Sequence, residues 1–276
     1  MTEITCYGCR GSHAVSGKEF SLFGGHTTSF LVSSGESDTV FLIDAGSGIC
    51  NIALPDSVKK AVLLLTHTHL DHIAGFPFLQ ALRRSDFELT VCGPVAAHGA
   101  GIREIVTTLF APAFFPVNWD GFPASVSFSD LRDGSTLVFG DTVVDAFRLP
   151  HPSATLGYRL RRGSHTAVFC FDAELEALDS RQTEALGRLV EGTGLLAVDA
   201  TYTAEQYANG RVGFGHTAAE TAAAFAERFG VLKTGLTHHS PGATDRELLC
   251  REKNLREKHP SAGIFFFREG MSVSVG

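Results

Sequence analysis

Residues 66–72 read Thr66-His67-Thr68-His69-Leu70-Asp71-His72 and follow directly on the apolar run Ala61-Val62-Leu63-Leu64-Leu65. A buried strand ending this way releases three imidazoles and a carboxylate within six residues. Imidazole nitrogen and carboxylate oxygen bind divalent first-row metals without depending on thiol redox state, and a strand end is a rigid place from which to project them. The chain has 12 histidines, so three in one hexapeptide are not a scatter of solvated loop residues. Four other strand-like runs end in a ligand-type residue. They are Leu149-Pro150-His151, Phe169-Cys170-Phe171-Asp172, Thr234-Gly235-Leu236-Thr237-His238 and Leu42-Ile43-Asp44. Each alone is the signature of a turn or cap. Together with the hexapeptide they give seven candidate metal ligands: His67, His69, Asp71, His72, His151, Asp172 and His238. Zinc takes about four ligands and keeps one for water, so seven suit two metals better than one.

The elements that must carry these residues read as follows. Short strands are expected at 4–7, 29–33, 40–44 and 62–65, separated by glycine turns, then a helix over 95–109. An aromatic loop over 110–124 contains Phe114, Phe115 and Trp119, rings that either stack a base or pack as core or lid. Further strands are expected at 125–129, 136–139, 143–149, 156–160 and 167–171, a helix at 180–190 and a strand at 195–198. A helix over 217–229 has Thr217 at its N-cap and Glu220 three residues on, a capping-box pattern, and ends at Gly230. A last strand at 234–237 delivers His238 and His239. Two face-to-face sheets with helices outside satisfy this order better than a doubly wound parallel sheet.

Composition sets the frame. A chain of 276 residues with 44% hydrophobic and 19% charged residues buries a sizeable core. Without a linker or low-complexity segment, one domain over 1–276 is the expectation. No apolar stretch approaches the ~20 residues that span a bilayer, and the first residues lack the basic and apolar regions of a secretory signal, so a cytoplasmic protein is expected. The net charge of −7, with no basic run, argues against a large nucleic-acid surface; it leaves room for a small anionic substrate, since bound cations invert the local field. Of six scattered cysteines, Cys6 and Cys9 form a lone C-x-x-C. Reduced thiols account for it better than a structural zinc.

The His67-x-His69-x-Asp71-His72 element with His151, Asp172 and His238, and Asp44 upstream, resembles the signature of the metallo-β-lactamase superfamily across nearly the whole chain. Asp199-Ala200-Thr201, Gly215-His216-Thr217-Ala218 and Leu236-Thr237-His238 are similar, in the same order, to elements of its ribonuclease Z-like phosphodiesterase branch. Arg10-Gly11-Ser12 and Gly24-Gly25-His26-Thr27-Thr28 also resemble bacterial members. The resemblance implies an α+β fold, a four-layer αββα sandwich with the site at one edge of two sheets. It implies two divalent ions, zinc or manganese, with His67, His69 and His151 on one, Asp71, His72 and His238 on the other, and Asp172 bridging. Asp44 is expected behind them, orienting a ligand imidazole. The branch attacks a phosphodiester with a bridging hydroxide and uses a histidine to protonate the leaving alkoxide or contact the phosphate. Here that places Asp71, His216 and Asp199 in catalysis, with Asp199 one methylene shorter than the branch's usual Glu. A homodimer is implied as well.

In that branch, transfer-RNA processing uses a long clamp between the third His and the bridging Asp. His151 and Asp172 are only 21 positions apart, so the expected substrate is a small phosphodiester, a cyclic nucleotide or related cyclic phosphate, not a large nucleic acid or a membrane. Arg161 and Arg162 are candidates for phosphate contact, although exposed strand-end arginines are more often solvated. Two alternatives stand beside it: a thioester or lactam hydrolase on the same scaffold, which needs no His216–Asp199 pair, and a non-catalytic sensor, disfavoured by the complete ligand set. His13, His26, His98, His165, His239 and His259 are read as surface or supporting residues, with His239 pointing away from the metals.

Overall fold

The computed structural model describes residues 2–35 and 37–275. Alternation along each strand decides the layering. In β3 (Thr39–Ile43), Phe41 and Ile43 face one cluster and Val40 and Leu42 another; in β10 (His165–Cys170), Ala167 and Phe169 divide from Val168 and Cys170 in the same way. Both faces are therefore apolar and both must be covered. The shared cluster lies between two sheets. The first contains β1 (Thr2–Gly8), β2 (Ser29–Ser34), β3, β4 (Lys60–Leu64), β5 (Glu88–Pro94), β6 (Ser125–Leu131) and the C-terminal β14 (Ser272–Val275), in the order β14-β1-β2-β3-β4-β5-β6. The second contains β7 (Thr136–Phe139), β8 (Thr142–Arg148), β9 (Leu156–Arg162), β10, β11 (Leu195–Asp199), β12 (Thr234–Thr237) and β13 (Ile264–Phe266), in the order β13-β12-β11-β10-β9-β8-β7.

Short helices α1 (Leu70–Ile73) and α2 (Ile102–Thr108), with several 3-10 turns, cover the outer face of the first sheet. The second sheet is covered by α3 (Ser180–Val190), α5 (Ala219–Arg228) and α6 (Asp245–Lys258), with α4 (Ala204–Ala208) leading into α5. This is the four-layer α+β sandwich expected. The aromatic segment belongs to the outer cluster of the first sheet: Trp119 stacks on Phe76 at 6.0 Å and meets Phe110 edge-on at 5.0 Å, while Phe115 packs against Phe78 at 5.4 Å. Those rings are engaged in packing; Phe114 alone of the three points to solvent.

Strands β3 to β6 run parallel, as do β10 to β13, and β8 shares the direction of β10 because both are antiparallel to β9. The carboxyl ends of these strands meet at one edge of the sandwich, where α/β sheets place ligands. Asp44 follows β3, His67 follows β4, His151 follows β8, Asp172 follows β10, Asp199 ends β11 and His238 follows β12. Tyr158 on β9 ties the sheets there, its buried hydroxyl donating to the Leu65 carbonyl at 2.6 Å.

Three expectations need correction. The helix over 95–109 shrinks to α2, because 95–100 turn back through Gly99 at φ 91° and the helix starts only where Asp130 accepts the Ile102 N–H at 2.7 Å. Thr217 does not cap α5: its hydroxyl donates to the Ala173 carbonyl and accepts the Leu175 N–H at 3.0 Å, while Glu220 accepts the Ala204 N–H. Tertiary partners took the atoms the local pattern assigned to a cap. Arg161 and Arg162 pair with Asp145 and Asp141, at the end of β9 remote from the strand-end histidines. Strands β5, β13 and β14 and helices α1, α4 and α6 lay outside the expected elements.

Tyr158→Phe would leave the buried Leu65 carbonyl without its partner. It is expected to lower unfolding free energy by about 1–3 kcal/mol, read as a lower urea midpoint at unchanged m value.

Candidate metal centre

The strand ends bring all seven candidate ligands together. His67, His69, His151 and Asp172 offer donor atoms within 4.8 Å of one another, and so do Asp71, His72, Asp172 and His238. Asp172 belongs to both sets and divides its oxygens between them. Its Oδ2 lies 3.5 Å from His67 Nε2 and 3.9 Å from His151 Nε2; its Oδ1 lies 3.1 Å from His72 Nε2 and 3.2 Å from His238 Nε2. Asp71 Oδ2 approaches His72 Nε2 at 3.4 Å and His238 Nε2 at 3.3 Å.

The donor atoms fit a metal. His67 Nε2, His72 Nε2 and Asp172 Oδ1 are buried with no hydrogen-bond partner, a costly state for a polar atom unless a ligand satisfies it. Burial and neighbouring imidazoles hold His67 well below the usual histidine range, and burial lowers His69 and His151 too. Neutral imidazole is the form that ligates. No cysteine takes part in a metal-capable cluster among the described residues; Cys6 and Cys9 are buried free thiols.

Two buried carboxylates aim these rings. Asp44 accepts His72 Nδ1–H at 2.7 Å on Oδ2 and the Thr66 N–H at 2.7 Å on Oδ1. The Thr66 hydroxyl donates to the same carboxylate at 2.9 Å and lies 3.1 Å from His67 Nδ1. Asp199 repeats the device in the second sheet. Its Oδ2 accepts His216 Nδ1–H at 2.7 Å, its Oδ1 accepts the Thr201 N–H at 2.9 Å and O–H at 2.8 Å, and Thr201 Oγ1 lies 2.9 Å from His238 Nδ1. Each carboxylate thus orients one imidazole directly and a second through threonine, leaving the far nitrogen to face the cleft. The shorter Asp199 reaches His216 without difficulty. Burial would lower His216, but the Asp199 carboxylate prevails and pushes it up to about 9.

The N-terminal segment closes the other side. Arg10, fully buried, donates to the carbonyls of Gly24, Ser240 and Ala243, and the Ser12 N–H donates to Asp71 Oδ2 at 2.6 Å. A Cβ on Gly11 would lie 2.3 Å from the His238 ring, so only glycine permits this approach. His239 turns away, its Nε2 against the Phe267 carbonyl at 3.0 Å. His26 supports the Gly46 turn, 3.2 Å from Ser47 Oγ. Ser12, Asp44, Asp172 and His238 have φ of 60°, 59°, 51° and 59°. They are the described non-glycine residues in the left-handed region, a strain that clusters at functional sites. Thr66, Thr201 and Ser12 were given no role of their own from sequence, although each lies within a motif that the sequence shows.

The profile of the beta-lactamase superfamily domain matches residues 39–239, a span holding every candidate ligand. The chain belongs to the metallo-β-lactamase superfamily. Within it, the chain sits on the ribonuclease Z-like branch: it is 26% identical over 268 residues to ribonuclease Z of Bradyrhizobium diazoefficiens, covering 80% of this chain and 83% of that one. Other curated relatives are matched over only 49% or 38% of their own length. Among solved structures, the metallo-β-lactamase-fold protein YhfI of Bacillus subtilis superposes with TM-score 0.74 at 19% identity, covering 100% and 99% of the two chains. A diphosphatase of the PhnP family superposes with TM-score 0.66 at 16% identity, covering 99% and 98%. These last two establish the fold. Family, relatives and the His/Asp clusters together support a metal-dependent hydrolase.

Asp44→Asn would set an amide N–H2 against the Thr66 or His72 donors. Metal affinity is expected to fall about 10- to 100-fold, measured by chelator competition on folded protein.

Proposed function

We propose that the chain is a phosphodiesterase acting on a small phosphodiester, a cyclic nucleotide or a related cyclic phosphate. His67, His69, His151 and Asp172 would hold one divalent ion; Asp71, His72, Asp172 and His238 would hold the other. When bound, such ions polarise a phosphoryl oxygen and lower the pKa of an attacking water.

The observation that carries the reading is the Asp199–His216 pair. His216 stacks on His238 at 4.8 Å between ring centroids and lies 5.4 Å from the His151 ring, so it stands at the edge of both ligand sets and belongs to neither, grouping instead with Asp172, Asp199 and His238. With Nδ1 bound to Asp199, Nε2 is the atom left to deliver a proton. An alkoxide is a poor leaving group and requires that proton, whereas the thiolate of a thioester does not. Asp199 keeps the imidazole in the donating tautomer and favours its charged form.

The small size of the substrate rests on the stretch between His151 and Asp172, which is filled by the β9–β10 hairpin with no arm projecting from it, and on the net charge of −7. The ribonuclease Z relatives favour a second substrate class, an RNA, which the same assay can include. A single domain and a cytoplasmic location belong to the proposal through the sequence composition, a homodimer through the family resemblance, and zinc or manganese as ions that His and Asp ligands suit.

The test is turnover by zinc- or manganese-loaded protein. Wild type is expected to cleave bis(p-nitrophenyl) phosphate and at least one cyclic nucleotide. His216→Ala is expected to lose about 10²- to 10⁴-fold on the cyclic nucleotide, with a much smaller loss on the p-nitrophenyl ester, whose leaving group needs no proton. No turnover of any diester by protein carrying two metal equivalents would overturn the reading.

A further inference from the structure

The segment joining β11 to α5 delivers His216, and its composition argues against rigidity. Gly210, Gly213 and Gly215 all have positive φ, residues 208–214 are exposed, and glycine-rich surface segments are ordinarily mobile. One buried side chain holds its glycine-rich stretch. Glu174 Oε1 accepts the Tyr207 hydroxyl at 2.6 Å and the Gly213 N–H at 2.7 Å, and Oε2 accepts the Gly215 N–H at 2.9 Å. The Gly215 carbonyl in turn accepts His151 Nδ1–H at 2.9 Å. A Cβ on Gly215 would fall 2.2 Å from that nitrogen, so the contact is as close as backbone allows. The Glu174 N–H donates to the Pro150 carbonyl at 2.8 Å. Glu174 thus grips the chain immediately before His151 and immediately before His216, yet offers no atom to either ligand set.

We infer that Glu174 is a positioning residue for the reaction: it sets His151 through the Gly215 carbonyl and His216 through the adjoining backbone. The argument has two links. His151 presents Nε2 to the Asp172 side only while Nδ1–H has an acceptor, and that acceptor is the carbonyl of Gly215, the residue whose N–H, in the preceding peptide, donates to Glu174. His216 meets Asp199 at 2.7 Å with its chain held on one side by Thr217 and on the other by Gly215 through Glu174, and displacements of about 1 Å at a catalytic group cost on the order of 100-fold. The role of His216 rests on the function proposed above; the orientation of His151 does not.

The experiment compares wild type, Glu174→Ala, Glu174→Gln and His216→Ala on a series of aryl phosphodiesters of decreasing leaving-group acidity, beside chelator competition for bound zinc. Glutamine keeps the size of the side chain but turns an N–H2 toward backbone donors, so it serves where alanine fails to fold. Both Glu174 variants are expected to copy His216→Ala, with about tenfold or greater loss on the poorest leaving group and under about threefold on p-nitrophenolate. They should also lose about tenfold in zinc affinity, which His216→Ala should not. Equal slowing across the series with wild-type zinc affinity would mean a structural staple and overturn the inference. Wild-type protein inactive on every diester would sink the proposed function, and zinc affinity would then decide Glu174 by itself: unchanged binding in both variants overturns it.

Discussion

A buried carboxylate that accepts one threonine's N–H and O–H together with an imidazole Nδ1–H is the constraint on which this structure depends. It occurs twice, at Asp44 with Thr66 and His72 and at Asp199 with Thr201 and His216. Taking a carboxylate out of water costs several kcal/mol unless donors replace the lost hydration. Three or more donors converge on each, so removing one leaves a buried charge exposed to that cost. The same bonds fix ring tautomers, which is why a structural necessity and a ligand-orienting role coincide. Burial raises Asp44 against the opposing pull of His72 and the Thr66 hydrogen bonds.

The sandwich makes this arrangement possible. Each carboxylate sits at the end of a parallel strand in a different sheet, and Asp172 stands between the resulting sets with one oxygen toward each. A site assembled from one sheet would have its ligands in a row about 4.8 Å apart. Facing two sheets across a packed core closes a cage instead. The core that sets their spacing is aromatic at this edge, with Phe30, Phe171 and Phe267 in ring contact, and Tyr158 pins one sheet to the chain entering the hexapeptide.

Segments distant in sequence finish the cage by backbone groups. Ser12 N–H reaches Asp71, Gly215 carbonyl reaches His151, and glycines 11 and 215 stand where a Cβ would strike a histidine ring. Backbone contacts carry no residue-type signature, so the roles of these loops depend on three-dimensional placement. Arg10 shows the same thing in reverse: its buried guanidinium serves the carbonyls of Gly24, Ser240 and Ala243, a fold-closing task.

By itself the sequence determined the layering and the ligand candidates. The continuous apolar runs at 40–43 and 167–171 leave both faces of a strand to be covered, and the imidazoles and carboxylates sit next to the strands that project them, so both are local properties of the chain. Its family membership was legible for the same reason, because the hexapeptide and the later motifs are contiguous. Tertiary structure alone decided what depends on groups far apart in sequence. Thr217 left the α5 cap for Ala173 and Leu175, because a partner across the fold satisfied its hydroxyl better than the local helix did. Arg161 and Arg162 went to Asp145 and Asp141 instead of the cleft because strand register set which end of β9 they occupy. Glu174, an unremarked glutamate two residues past Asp172, acquired its place only when Gly213, Gly215 and Tyr207 folded back over it. A hydrogen bond 33 to 41 residues long in sequence has no local pattern from which to be read.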